Sequence, residues 1–439
     1  MIERHPPPTG SAEIVYDITR LVTRALNPAP NGIDRIDFAL ARHYLAPTNA
    51  TNRALICTLL GPRLAERAAA LQSVDEIENH WNEFIDPASD PIYESTLEAL
   101  RGPSRREKRQ RRILRPRDAK LFAQNWRAMK RWAFHAGRSL DETPQGAVYF
   151  NASQFLLDKP WFVGWLDRRK DVKPVFYVHD LLPIDFPEFF WPKEPEAHER
   201  RMRNICRFAA GVVTGSHAVA RRLEAFAAAE GRESLPICVV RPPASPAFAT
   251  ERAPDPRLDD LDYFVVCGTI EPRKNLLMLL NLWRELAAAV RPPKLVLVGK
   301  RGWLSGSVLD LLERSAAIRA NVVEVGGLST PGLRRLLGGA RALLAPSFAE
   351  GFGIPLAEAM TAGVPVIASD IEVFREVGGD ALDYVDPLDG LGWLRAVQDY
   401  AAPDSARRQA AIDRLTQRKT SESPSFLSDI EVFVASIAR

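Results

Sequence analysis

The sequence predicts an α/β protein built from two doubly wound, parallel-sheet domains that face each other across a cleft. Three observations lead there. At 439 residues the chain exceeds what one hydrophobic core usually holds, since cores stop growing near ~250–300 residues and split. Short β-branched runs alternate with helical stretches throughout, which is the pattern of βαβ construction. A proline-rich interval then divides the runs into two similar series.

In the first series the candidate strands are AEIVYDIT, RALICTLL, GAVYFNAS, PVFYVHD, GVVTGS and PICVVRPP; the second has DYFVVCGT, KLVLVGK, NVVEVGG, ALLAPS, PVIASD and ALDYV. Between them Pro242, Pro243, Pro246, Pro254 and Pro256 give the composition of a linker. The boundaries expected are 1–245 for the first domain, with a basic insertion at about 100–138, and 246–422 for the second. Residues 423–439 begin at a serine and carry apolar residues at helical spacing, so they should form a closing helix that packs back near the first domain.

Composition is that of a soluble globular protein, with 46% hydrophobic and 26% charged residues. No apolar run is long enough to span a bilayer, and the polar, proline-rich opening MIERHPPPTG does not read as a secretory signal, so a cytoplasmic protein is expected. Cys57, Cys206, Cys238 and Cys267 lack metal-binding or redox spacing and read as reduced thiols. The net charge of +3 conceals a concentration of Arg and Lys between Arg101 and Lys120, opposed only by Glu107 and Asp118. Beyond it, Phe122, Trp126, Met129 and Ala133 share one helical face and Arg127, Arg131 and Arg138 another. That pattern suits an anionic membrane surface at the inner face of the plasma membrane, and equally a domain helix with a solvated basic side. Nucleic-acid binding would account for the basic run alone, and no nucleic-acid partner is expected.

Two segments carry chemistry. GTIEPRKN (268–275) follows a strand and precedes a helix that Asn275 could cap, which puts Arg273 and Lys274 in a strand-to-helix turn. Ligands of open parallel sheets bind beyond the carboxyl ends of strands, where an anion meets cationic side chains and free amides. Ser347 to Glu358, SFAEGFGIPLAE, also follows a strand. Gly351 and Gly353 permit close backbone approach, Pro355 fits a first helical turn, and the spacing puts Glu350 in a loop and Glu358 in the helix's opening turns. Carboxylates there suit sugar and ribose hydroxyls.

GTIEPRKN together with E-x7-E and GVPVIASDIEVFREVGGDALDYVDP resembles the family-4 retaining glycosyltransferases, and VGKRGW (298–303) resembles their mannosyltransferase-type members. The resemblance is dense from about Phe264 to Pro387. It implies the GT-B fold of two Rossmann-like domains and a nucleotide-diphosphate sugar as donor substrate, with GDP-mannose favoured. Arg273 and Lys274 would bind the donor diphosphate, Glu350 the hydroxyls of the transferred sugar, and Glu358 the ribose. Gly268, Gly327 and Leu328 would line the donor site, with backbone around Gly326 to Ser329 flanking the base. Gly351, Phe352, Gly353, Ile354, Pro355 and Leu356 would cradle sugar or phosphate. In the first half, Gly32 would let a helix N-terminus approach the phosphates, and His179 would lie beside the donor sugar. Asp34, Arg35 and Asp180 are candidates for the acceptor, a saccharide or a polyprenyl-linked saccharide of surface polysaccharide synthesis.

The implied mechanism needs neither cofactor nor metal, because Arg273 and Lys274 would stabilise the diphosphate as its charge develops. No D-x-D motif stands at a strand end; Asp259-Asp260-Leu261-Asp262 falls in the linker region. The alternatives are a GT-B sugar-nucleotide epimerase and a catalytically silent sugar-nucleotide-binding relative.

Overall fold

The computed structural model describes residues 13–24, 27, 30–81, 89–102, 112–114, 130, 132, 137–249, 255–418 and 426–439. Two seven-stranded sheets dominate it. The first is formed by β1 (Ile14–Asp17), β2 (Arg53–Thr58), β3 (Gly61–Ala65), β5 (Val148–Asn151), β6 (Lys173–Val178), β7 (Gly211–Thr214) and β8 (Ile237–Val239), in the order β3-β2-β1-β5-β6-β7-β8. All its pairings are parallel except β2 with β3. The second sheet is wholly parallel: β4 (Arg112–Leu114), β9 (Tyr263–Cys267), β10 (Lys294–Val298), β11 (Val322–Gly326), β12 (Leu343–Ala345), β13 (Val366–Ser369) and β14 (Asp383–Val385), in the order β14-β13-β12-β9-β10-β11-β4.

All twelve strand runs read from the sequence are strands. β3 and β4 were not among them, because GPRLA carries proline and glycine and RIL is embedded in a basic run. Both sheets bury apolar layers on their two faces, as parallel sheets require.

Chain order and spatial order differ in two places. The helix Pro91–Arg101, expected in the first unit, buries Ile92, Tyr93, Leu97 and Leu100 in the second sheet's core, and β4 pairs with β11. The helix Pro91–Arg101 and β4 thus belong with the second sheet and not, as expected, with the first, while the two strand series still divide at the proline-rich interval. The closing helix Phe426–Ala438 crosses the other way, with Phe426, Ile430 and Val434 in the first sheet's core. Residues 103–111, 115–129, 131 and 133–136, which hold most of the basic segment, lie outside the described residues, as do the side chains of 112–114. No described helix is long and apolar enough to cross a membrane.

In the second sheet the chain runs β9-β10-β11 in one direction and β12-β13-β14 in the other, so its direction reverses between β9 and β12. GTIEPRKN follows β9 and SFAEGFG follows β12. Both chemical segments thus flank the topological switch point, where open α/β sheets bind ligands.

Candidate active site

The two loops at the switch point are joined through their backbones, with Phe348 N donating to Arg273 O at 2.8 Å. That contact sets Glu350 against the turn Pro272–Lys274. Arg273 Nη1 and Lys274 Nζ donate to the two oxygens of Glu350, each at 2.5 Å, and Ser347 Oγ donates to Oε1 at 2.7 Å. Arg273 also pairs through Nε with Glu271 at 2.7 Å. Burial pushes the Glu350 carboxyl up, but the two cations outweigh it and hold its pKa down at about 2. Glu271, with less compensation, is raised by burial. Cys267, Lys274, Ser347, Glu350, Gly353 and Leu356 are among the residues lining a small cavity there.

Asn275 does not cap the following helix with its side chain. It adopts φ 54°, and its Nδ2 donates to Pro387 O at 2.8 Å, tying the loop to the end of β14. Gly353, at φ 93°, turns the chain into the helix Ile354–Thr361, where Pro355 occupies the first turn and Glu358 is buried.

The first sheet closes over this site. Gly351 lies so near the end of β6 that an added Cβ would collide with the His179 carbonyl oxygen and the Asp180 Cβ. Ser216 Oγ donates to Gly351 O at 2.9 Å while accepting from Val219 N, so it caps a helix and spans the cleft together. Glu376 accepts from His217 N and Ala218 N at 2.7 and 3.0 Å, capping that same helix from the opposite sheet. Phe189 stacks on Phe348 at 5.7 Å between centroids, and Trp303 Nε1 donates to Phe189 O at 2.8 Å.

Comparison with known proteins bears on this cleft. Residues 248–385 match the family described as glycosyl transferases group 1. The chain is 37% identical to O-antigen chain mannosyltransferase B of Escherichia coli over 162 residues, 36% of this chain and 41% of that protein. It is 28% identical to the serotype-specific mannosyltransferase WbdA of E. coli over 265 residues, 56% of this chain and 32% of that one. The matched region therefore spans a third to two fifths of these relatives' lengths. The crystal structure of Anabaena Alr3699/HepE in complex with UDP-glucose aligns over 97% of this chain and 99% of that one, with a TM-score of 0.59 and 14% identity. The region that matches group 1 glycosyl transferases forms most of the second sheet. The fold is GT-B.

Within this GT-B cleft the structure brings together Glu350, Arg273, Lys274, Gly351, His179 and Asp180. Gly268 lies against the Lys274 side chain, and Phe352 and Leu356 are buried in the second core. Gly327, at φ 81°, and buried Leu328 lead into Ser329, which caps the helix Thr330–Gly338. His179 donates through Nε2 to Ala152 O at 2.8 Å and stacks on Tyr177, which leaves Nδ1 as an acceptor on a neutral ring. Burial pulls its pKa down to about 4.

Four of the residues expected at the donor or the acceptor make contacts within the protein. Asp34 is fully buried: its side chain closes a capping box with Asn31 and takes Arg20 and Arg24, so it is not open to an acceptor. Arg35 pairs with Glu358. Gly32 sits in the first turn of the helix Gly32–Tyr44, where an added Cβ would collide with the side chain of Ile354, the first residue of the helix Ile354–Thr361. Asp180 Oδ1 accepts from Leu182 N at 3.1 Å, a local turn contact.

Ser347 and Glu271 stood inside the quoted motifs without an assigned role, and their charge or hydroxyl next to Arg273 and Glu350 was the available signal. Glu376 and Trp303 likewise stood inside quoted segments without an assigned role, and Thr330 and Phe189 were given none. Among the described residues, no group of three or more His, Cys, Asp or Glu side chains is placed to hold a metal ion.

Proposed function

We propose that the protein is a retaining, metal-independent glycosyltransferase that moves a hexose, with mannose favoured, from a nucleotide-diphosphate sugar to a saccharide or lipid-linked acceptor in surface polysaccharide synthesis. The observation that carries the reading is Glu350, an ionised carboxylate fixed by two cations and a serine at the switch point of the domain that matches group 1 glycosyltransferases. Ionised, it accepts hydrogen bonds from sugar hydroxyls in fixed directions. The names of the mannosyltransferase relatives support the sugar, and GDP-mannose is the donor proposed.

The chemistry follows from charge. The anomeric carbon's bond to the diphosphate breaks, the sugar becomes oxocarbenium-like, and the acceptor oxygen bonds on the same face while its proton passes to the departing phosphate. Arg273 and Lys274, together with the N-terminus of the helix Ile354–Thr361, stabilise the charge that builds on the leaving group. The two cations are already balanced by Glu271 and Glu350, so the diphosphate shares them and does not find them free. Glu358 is assigned to the ribose and the backbone from Gly326 to Ser329 to the base. We assign the protein to the inner face of the plasma membrane, where a lipid-linked acceptor would be met.

A thermal-shift panel of GDP-mannose, UDP-glucose and dTDP-glucose tests the donor. GDP-mannose at ~100 times its Kd should stabilise the protein by about 2.7 kcal/mol, and Lys274→Ala should lose most of that shift along with turnover. Transfer should survive EDTA, give a product with the donor's anomeric configuration, and stop when the acceptor is omitted. Conversion of the donor without acceptor would point to an epimerase, and binding with no chemistry to a silent relative; either removes the proposal.

A further inference from the structure

Glu358 and Glu350 belong to one segment, yet Glu358 takes its partner from the other half of the molecule. Arg35, in the first turn of the helix Gly32–Tyr44, donates through Nη1 to Glu358 Oε1 and reaches Thr330 Oγ1 with Nη2 at 3.3 Å. Thr330 opens the helix that follows the Gly326–Ser329 backbone. The two groups that Arg35 bridges are therefore the carboxylate and the loop end between which the proposed nucleoside would lie.

Two further features mark this as a stand-in contact. The Glu358 side chain is 4% exposed, and a carboxylate so enclosed needs a counter-charge or a set of donors. Arg35 Nε, by contrast, is buried with no hydrogen-bond partner among the described residues, so the guanidinium is incompletely served where it sits. Vicinal ribose hydroxyls would serve Glu358 with two neutral donors, and the guanidinium lying between Glu358 and Thr330 fills the space they would enter.

We propose that Arg35 holds the ribose position on Glu358 and is exchanged for the ribose hydroxyls when the donor enters. The proposal rests on the reading of the cleft as a nucleotide-sugar site. Arg35 is a positioning residue here: it holds Glu358 aimed, and it sets a threshold that only a ligand with a ribose can cross.

The test is calorimetric binding of GDP and UDP to Arg35→Met, which keeps the stem and removes the guanidinium. With the competitor gone, the diphosphate that binds the wild type should bind about fivefold to tenfold more tightly. Arg35→Lys, too short to hold Glu358 and Thr330 together, should fall between the two. In a Glu358→Gln background the Arg35→Met change should have no further effect. Far-ultraviolet circular dichroism and melting establish that each variant is folded. Unchanged or weaker binding by folded Arg35→Met, with normal binding by the wild type, overturns the exchange alone; weaker binding would make Arg35 an ordinary phosphate ligand. If the wild type binds neither diphosphate, the donor reading fails and the exchange falls with it.

Discussion

Glu350 and Glu358 lie eight positions apart in sequence, but they are held in opposite ways. Glu350 takes Arg273, Lys274 and Ser347, all from loops of its own sheet. Glu358 takes Arg35, which comes from the other sheet. The first arrangement is complete whether or not the cleft is closed, so the charge on Glu350 is a fixed property of the second domain. The second exists only while the sheets are together. One carboxylate is preorganised within its own domain, and the other reports the state of the cleft.

Neutralising Glu350 should have the largest effect. Glu350→Gln keeps the side chain's size but removes the charge that balances Arg273 and Lys274, and transfer should fall by ~10²-fold or more while diphosphate affinity changes little. Initial rates beside calorimetric binding separate the two. Stability should drop as well, by about 3 kcal/mol, because Lys274 loses its carboxylate and Arg273 keeps only Glu271. The pH dependence has a definite sign. The folded pKa of about 2 lies below the ordinary 4.5, so the contribution is present above pH 4.5 and is lost as pH falls through 2; the wild type should lose stability in that window and Glu350→Gln should not show that part of the loss. Full activity in folded Glu350→Gln would mean that the sugar is held elsewhere.

The same contrast explains what was legible from sequence. Strands β9 to β14 and the turn carrying Arg273 and Lys274 were readable because each is a local pattern, and the switch point follows from parallel-sheet order. The Glu350 partners fall within two short motifs. Arg35 and Glu358 are 323 residues apart, and no periodicity or spacing joins them. Asp34 beside Arg35 was equally opaque: a capping aspartate and a ligand-binding aspartate look alike until Asn31, Arg20 and Arg24 are seen around it. The crossing of Pro91–Arg101 to the second core was hidden for a related reason, since an amphipathic helix declares its apolar face but not which sheet covers it.

Gly351 offers a way to disturb closure without touching either carboxylate. Its Cα has no room for a side chain against the His179 carbonyl and Asp180. Gly351→Ala should hold the sheets apart by a fraction of an ångström, lower transfer by ~10-fold, and cost about 1–3 kcal/mol. Diphosphate binding should be less affected, since Arg273 and Lys274 remain in place. A Gly351→Ala protein with wild-type rates and melting would show that the two halves do not need this contact, and the distinction between a preorganised and a closure-dependent glutamate would lose its footing.

The smallest effect concerns His179, whose ring meets the cleft from the first sheet. Its Nε2 proton is committed to Ala152 O, and burial holds its pKa at about 4, well below the ordinary 6.5. Below pH 6.5 the unfolded chain binds a proton that the folded ring refuses until about pH 4, so folding stability should decline as pH falls across that interval. His179→Gln should flatten part of the decline in melting temperature. Turnover, for its part, should show no acid limb centred near pH 6.5, because the ring stays neutral throughout and acts as an acceptor through Nδ1 and not as a proton carrier. A limb near 6.5 that vanishes in His179→Gln would place a solvated, titrating histidine at the reacting centre, and it would mean that the first sheet, like the second, contributes charge and not only closure.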